Sequence, residues 1–351
     1  MDQPTMPAAA GDGPWTITCL AVRDETPTIK TFTFEASRSF AHQAGQAVTL
    51  ALPVAGETLY RTFSIASAPG GDRRFEVTVK AHPDGRATAW LHAHLKPGTQ
   101  VDARPPRGHF TLARRSGRSI AFLSGGSGAT PLMAMLRHLA RSEPWADVAW
   151  FHAARSPEEI LFAAELARLQ EIMPNLTASI AVSRPRPGWF GLRGRPTRRL
   201  MSVAVPDLAS RDVFCCGPSA FMAEARLIHA AEGGARATFH IEAFGPAAPV
   251  AAVADDDAVL APDNGSFELL CDGRAVTVRN HETILQACLR QGLVIPCGCG
   301  QGLCGTCRVR RLSGTVVMNH HGGLDPDEER AGFILACSSR LASDARISLD
   351  V

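Results

Sequence analysis

Cys299, Cys304 and Cys307 form a Cys-x4-Cys-x2-Cys array, and Cys337 follows 30 positions after the last of them. Four thiolates at this spacing suit a [2Fe–2S] cluster, because soft sulfur ligands match iron. Gly300, Gly302 and Gly305 lie inside the array. Glycine reaches positive φ, so the loop can curl and aim backbone N–H groups at the sulfurs. Structural zinc also takes four cysteines, but zinc ribbons supply them as two short pairs. Here the fourth cysteine stands alone on a strand-like segment. A Rieske cluster needs two histidines in place of two cysteines, and His320 and His321 lack the matching Cys-x-His spacing. Cys297, two residues before the array, reads as a nearby free thiol or an alternative ligand.

A second chemical signal is Ser124-Gly125-Gly126-Ser127-Gly128-Ala129-Thr130-Pro131. It follows a short apolar strand, Ile120–Leu123, and opens a helical run, so its N–H groups can face a pyrophosphate at a helix N-terminus. Cys215-Cys216-Gly217-Pro218 ends a later strand in the same way. Alone, that segment reads as two core cysteines and a turn.

The elements around these motifs fall into blocks. Trp15–Val22, Ile29–Glu35, Ala47–Leu52 and Phe75–Lys80 are strand-like, with one helical run at Ala87–Leu95. They imply an antiparallel β-barrel over 12–113. From 114 to 245, strands (Val148–His152, Leu176–Val182, Val213–Cys216, Thr238–Ile241) alternate with helices (Pro131–Leu139, Pro157–Leu169, Ser219–Ala231). That is the pattern of an α/β unit with a parallel sheet. Arg193–Arg199 reads as a solvated loop. Residues 246–264 are Ala/Pro-rich without a period and read as a linker. Residues 265–351 form an α+β unit of the β-grasp kind. Phe267–Cys271 and Ala275–Val278 flank Asp272-Gly273, a two-residue hairpin signal. Thr283–Arg290 is a helix, and Arg308–Leu312, Ile334–Cys337 and Ile347–Leu349 complete the sheet.

Composition narrows the classes. At 351 residues the chain is long enough for two or three domains of roughly 100–200 residues. Its 36 basic and 34 acidic residues form no stripe suited to nucleic acid. No apolar run reaches a membrane-spanning length of about 18 residues. The opening Met1-Asp2-Gln3-Pro4 lacks the basic and apolar regions of a secretory signal. A cytoplasmic location is therefore expected, in which five cysteines between 297 and 337 point to a metal or redox site rather than disulfides.

Arg61-Thr62-Phe63-Ser64, the glycine turn, Cys216-Gly217-Pro218 and the cysteine loop occur in an order that resembles the ferredoxin–NADP reductase superfamily. More narrowly, the chain resembles reductases with a C-terminal plant-type ferredoxin domain. The resemblance implies that Arg61 faces flavin phosphate and that Thr62, Phe63 and Ser64 line the flavin, with Phe63 where the family usually has tyrosine. Lys80, with Gly85, Ala87 and Thr88 opening a helix, resembles the segment that holds the pyrophosphate of FAD. Gly125, Gly126, Gly128, Thr130, Pro131, Gly217 and Pro218 would border the nicotinamide nucleotide. Cys216, Glu242 and Phe244 would lie beside the reacting rings. Ser183-Arg184 resembles a pair that grips a 2′-phosphate, while oxygenase reductases of this architecture mostly use NADH; NADH is expected, with NADPH possible.

The resemblance thus implies an NAD(P)H-dependent flavin and iron–sulfur oxidoreductase. Nicotinamide gives two electrons as hydride, a [2Fe–2S] cluster passes one at a time, and a flavin mediates between them. The expected acceptor is the terminal oxygenase of a two-component Rieske-type monooxygenase or demethylase. His152-Ala153-Ala154-Arg155-Ser156-Pro157 and Trp90-Leu91-His92 resemble the subgroup serving quaternary amines. The alternatives are a hybrid-cluster protein or cytochrome-type acceptor, or a redox sensor without turnover.

Overall fold

The computed structural model describes residues 15–70, 73–117, 119–235, 238–244 and 265–349, except 294, 296, 298, 299, 301, 303, 304, 306, 321, 322 and 325. The segment expected to be a linker, Pro246–Asn264, lies outside them.

The N-terminal unit contains β1 (Trp15–Thr26), β2 (Ile29–Ala36), β3 (Ala47–Val54), β4 (Glu57–Ser64), β5 (Arg74–Lys80), α1 (Arg86–His94) and β6 (Gln100–Arg107). The strands pair antiparallel in the order β4-β3-β6-β1-β2-β5. Ile65, just past β4, bridges Val77 of β5, so the two edges meet and the sheet closes as a barrel. Inward residues such as Ile17, Phe32, Phe34, Leu50 and Val77 fill it. β4 and β6 add to the four strands the sequence suggests. β4 is half-exposed along most of its length, so it lacks an apolar alternation. β6 carries Pro105 and Pro106, which weaken a strand signature.

The middle unit contains β7 (Ser119–Gly125), α2 (Ala129–Ser142), β8 (Asp147–Ala154), α3 (Ala163–Ile172), β9 (Leu176–Val182), β10 (Leu192–Arg193), α4 (Arg198–Ala204), β11 (Asp212–Gly217), α5 (Ser219–Ala231) and β12 (Phe239–Ala243). All six strands run parallel, in the order β10-β9-β8-β7-β11-β12. The chain builds outward from β7 on one side, then returns to add β11 and β12 on the other. The ends of β7 and β11 therefore form the switch point at which open α/β sheets bind ligands. Two local expectations are corrected. The helix expected at Pro157–Leu169 is split: Pro157–Glu159 is a 3-10 turn, Phe162 takes φ 60°, and α3 begins only at Ala163. Arg193–Arg199 is not all loop, since it includes the end of β10 and the start of α4, whose Thr197 side chain accepts from the Leu200 N–H.

The C-terminal unit contains β13 (Ser266–Cys271), β14 (Arg274–Arg279), α6 (Ile284–Arg290), β15 (Arg308–Ser313), β16 (Val316–Met318), α7 (Pro326–Arg330), β17 (Phe333–Leu335), β18 (Ser339–Leu341) and β19 (Ala345–Ser348). Five strands form a mixed sheet, β14-β13-β19-β15-β17, and β16 pairs with β18. Asp272 and Gly273 both take positive φ, 45° and 83°, as a two-residue hairpin of this type requires. Thr283 and Gln286 close a capping box that starts α6. Cys337 is corrected from strand to turn: β17 stops at Leu335, and the following turn carries the cysteine. No helix among the described residues is long and apolar enough to cross a membrane.

Arg137 of α2 clamps the first two units together. Its guanidinium donates to Glu165 of α3 through two bonds of 2.7 Å, to Glu76 of β5 at 2.9 Å and to the Ala66 carbonyl at 2.9 Å. Phe162 lies beneath it, 5.4 Å from the ring centroid. Burial pushes the Glu165 carboxyl up, but the hydrogen bonds and charge of Arg137 outweigh burial and hold it below the ordinary value. A carboxylate with a depressed folded-state pKa contributes stability above the ordinary range, and that contribution is lost as pH falls through the folded value. Removing one partner of a buried ionic group typically costs about 3–5 kcal/mol. Arg137→Ala should therefore lower the melting temperature markedly at pH 7. The gap from wild type should narrow below the carboxylate range, as thermal scans across pH will show.

Candidate functional site

The site is assembled where β4 meets the ends of β7, β11 and β12. In β4, Thr62 faces Thr49 of β3, and their hydroxyls are 2.9 Å apart. Arg61 is exposed and donates to the Tyr60 carbonyl at 2.7 Å. Phe63 packs at the edge of the barrel core, and Ser64 is buried. The Ser64 hydroxyl donates to Glu242 Oε2 at 2.9 Å, across 178 positions of sequence. Glu242 is paired in register with Cys216, β12 against β11. Ser64, Cys216 and Glu242 are thus brought together, whereas Phe244 lies past the end of β12 and is 43% exposed.

Electrostatics at this junction are set by burial. The Glu242 carboxyl is pushed up to about 8, with the Ser64 hydrogen bond opposing only part of the effect. Its Oε1 has no hydrogen-bond partner among the described residues. Burial, then the neighbouring Glu242, raise the Cys216 thiol well above the usual range, so both groups are neutral at pH 7. A buried acceptor without a partner normally costs stability, which marks this position as one suited to a polar ring edge.

Two glycine turns make the floor. Gly126 takes φ 55°. A Cβ on Gly128 would lie 2.2 Å from the Cys216 carbonyl oxygen, so only glycine lets the turn after β7 close on β11. Gly125 and Gly217 are buried beside it, while Pro218 is exposed. Thr130 and Pro131 are buried in the first turn of α2, where the Thr130 hydroxyl donates to the Ser127 carbonyl at 2.8 Å. These two shape the turn from within. Sequence reading missed the support behind it: Ser124 Oγ and His152 Nδ1 are 2.8 Å apart and buried, and burial pushes His152 down to about 4, so the ring is neutral.

The remaining expected contacts are spread around the rim. Gly85 caps α1, with the Thr88 hydroxyl donating to the Gly85 carbonyl at 3.1 Å and accepting from the His82 N–H at 3.1 Å. Ala87 is buried. Lys80 Nζ is 3.9 Å from Glu159. Ser183 follows β9, its N–H bonded to the Ala154 carbonyl, and the Arg184 N–H donates to the Arg155 carbonyl at 2.7 Å. Arg184 and Arg186 are both exposed, and Arg186 pairs with Glu158 at 2.8 Å.

Of the four expected cluster ligands, Cys307 and Cys337 are described, and Cys299 and Cys304 lie outside the described residues. The Gly302 N–H donates to Cys337 Sγ at 3.1 Å, and the Cys337 N–H donates to Cys307 Sγ at 3.4 Å. Gly300, Gly302 and Gly305 all take positive φ, between 68° and 70°. Backbone donors aimed at sulfur on such a loop fit an electron-rich cluster. Cys297 joins this group: hydrogen bonds with Cys307 and Cys337 pull its thiol down, and the contact with Cys297 pushes the other two up. The other five cysteines are buried, in keeping with packing roles for most of them.

Known proteins match this layout unit by unit. A model described as an oxidoreductase FAD-binding domain matches residues 21–112, and one described as an oxidoreductase NAD-binding domain matches 122–227. A model of a 2Fe-2S iron-sulfur cluster binding domain matches 267–342. The glycine betaine monooxygenase reductase subunit of Pseudomonas aeruginosa is 34% identical over 336 residues, 92% of each chain. The chain belongs to the flavin reductases that carry a C-terminal plant-type [2Fe–2S] ferredoxin domain. The stachydrine N-demethylase reductase subunit of Rhizobium meliloti is 35% identical over 328 residues, 92% of this chain and 93% of that one. The solved phthalate dioxygenase reductase shares the fold, with a TM-score of 0.59, 24% identity and coverage of 97% and 98%. This reductase is thus an NAD(P)H-dependent flavin and iron–sulfur oxidoreductase.

Two outcomes follow from the geometry. An acid with a raised folded-state pKa costs stability as pH rises from its unfolded value to its folded value. In flavin-free protein, wild type should therefore lose stability relative to Glu242→Gln between about pH 5 and 8, by on the order of a few kcal/mol. Parallel melts that do not diverge there would show Glu242 to be ionised. For the cluster, Cys304→Ser should lose the visible iron–sulfur bands and retain flavin. Loss of iron in Cys297→Ser with retention in Cys299→Ser would move the first ligand to Cys297.

Proposed function

We propose that this reductase draws electrons from NADH and delivers them to the terminal oxygenase of a two-component Rieske-type system that demethylates a quaternary amine. The observation that carries the reductase half is the buried meeting of Ser64, Cys216 and Glu242 at the switch point. FAD bound there would accept hydride and release electrons singly to the cluster. Arg61 and the Gly85–Thr88 turn would hold its phosphates, and Ser64 with Glu242 would meet the ring edge. Cys216 closes the nicotinamide side, and its burial excludes water from the reacting face. Cys299, Cys304, Cys307 and Cys337 are the proposed cluster ligands.

The choice of acceptor is supported by the relatives, whose names place them with glycine betaine monooxygenase and stachydrine N-demethylase. NADH is favoured because Pro185 and Pro187 stiffen this loop, no acidic residue follows Arg184, and Arg186 is engaged by Glu158. Were Arg184 to bind a 2′-phosphate, that charge-assisted contact would be worth about 1.5–3 kcal/mol, roughly 10–150-fold in affinity for NADPH, so the kinetics separate the two readings. The expected result is NADH preference, with Arg184→Ala nearly silent in steady-state kinetics. Strong NADPH preference that disappears in Arg184→Ala would reverse the assignment. For the acceptor, NADH-dependent formaldehyde release should appear when the reductase is mixed with an oxygenase acting on glycine betaine or stachydrine. Fast cytochrome reduction with no oxygenase coupling would favour the cytochrome-type alternative.

A further inference from the structure

The ferredoxin unit meets the flavin barrel at an ionic centre built on Glu328 of α7. Arg107 Nη1 donates to Glu328 Oε2 at 3.1 Å and to Oε1 at 3.3 Å, across 221 positions of sequence. Arg308 Nη1 closes on the same Oε1. The three side chains are between 17% and 25% exposed, so the centre is shielded yet reachable by solvent. Arg308 directly follows Cys307 and lies over the Phe333 ring, 4.9 Å from its centroid. Its guanidinium is therefore fixed relative to the cluster loop.

Arg107 is fixed relative to the flavin site. It ends β6, and its register partner is Ala47 of β3. On its other side Ala47 pairs with Ser64. Arg107 thus lies two strands from Ser64, a separation of about 10 Å at ordinary strand spacing. Its stem also touches the cluster loop: a Cβ on Gly305 would meet Arg107 Cδ at 3.0 Å. One side chain therefore spans from the strand layer of the flavin site to the loop between Cys304 and Cys307.

We infer that Arg107 and Glu328 form an ionic latch that docks the cluster loop against the flavin unit, with Arg107 as a positioning residue for flavin-to-cluster electron transfer. The inference rests on the reductase reading above. Arg308 keeps Glu328 oriented when the latch is open, so closing it needs only the arrival of Arg107. A partly exposed latch is weakened by salt.

The test uses the holoprotein under anaerobic conditions, with NADH mixed in by stopped flow and flavin and cluster bleaching followed separately. Arg107→Gln is the decisive variant, because it leaves Arg308–Glu328 intact. Flavin reduction should match wild type, and cluster reduction should slow about tenfold, equivalent to about 1.4 kcal/mol of docking free energy. Wild type should also slow as salt is raised, while Arg107→Gln should be nearly salt-independent. The double variant with Glu328→Gln should be no slower than the slower single variant. Amide exchange in residues 305–309 should rise in Arg107→Gln and stay constant in residues 75–80. Unchanged cluster reduction and exchange in both single variants would overturn the latch. Should Arg107→Gln fail to fold, a salt-independent wild-type rate would overturn it equally. A wild-type cluster that NADH never reduces would instead overturn the reductase reading itself.

Discussion

The hydrogen bond from Ser64 to Glu242 ties the last residue of a barrel strand to the last strand of the nucleotide sheet, and both residues are buried. Everything at the junction is referred to it. β11 and β12 hold Cys216 beside Glu242 by strand register, and β3 and β4 hold Ser64 opposite Ala47. A carboxyl group in that position is stable only when neutral or further satisfied, and one of its oxygens has no partner among the described residues. Two sheets that share no strand are thus joined edge to edge by a polar contact, alongside the Arg137 clamp.

The two interfaces of the flavin barrel differ in kind, and the difference matches what each must do. Against the nucleotide unit, Arg137 spends its donors on two carboxylates and a carbonyl, and its side chain is 13% exposed. Hydride transfer demands reacting atoms about 3–3.5 Å apart, a tolerance that only a stiff interface keeps. Against the ferredoxin unit, the Arg107–Glu328 bonds are longer, 3.1 and 3.3 Å, and the arginine is 25% exposed. Electron transfer has no bond to form or break, so a weaker contact suffices. A unit that must also deliver electrons outward benefits from an interface that can open.

The motifs were legible because each carries its chemistry within a few residues. The glycine turn, the Cys216-Gly217-Pro218 turn and the cysteine loop each specify a local backbone, and Asp272-Gly273 and Thr283 announce their elements in the same way. What was hidden depends on partners far away in sequence. β4 shows no strand pattern because much of its length is only half-buried. The run Pro157–Leu169 has helical spacing, but Phe162 leaves the helix with φ 60° and packs beneath Arg137. Arg137 carries no local signal, since its partners Glu76 and Glu165 lie 61 and 28 positions away. Cys337 reads as strand because Ile334, Leu335 and Ala336 are apolar, yet the chain must turn there to bring its sulfur to the Gly302 N–H.

Charge explains why the ferredoxin unit relies on a local contact. From Ser266 to Val351 it carries nine basic and nine acidic residues, so it has no net field to draw it to a partner. Tethering removes the need for one, because a covalently linked domain is already at high effective concentration. What the tether cannot supply is orientation. A short-range ionic contact supplies it at little cost, since charges at a partly exposed site keep some hydration. The glycine at position 305 makes room for the Arg107 stem on the cluster loop, and Arg308 next to Cys307 holds the acceptor carboxylate. Orientation is thus encoded in residues adjoining the proposed ligands and in Glu328, so the unit presents its cluster loop to the barrel strand that neighbours the flavin site.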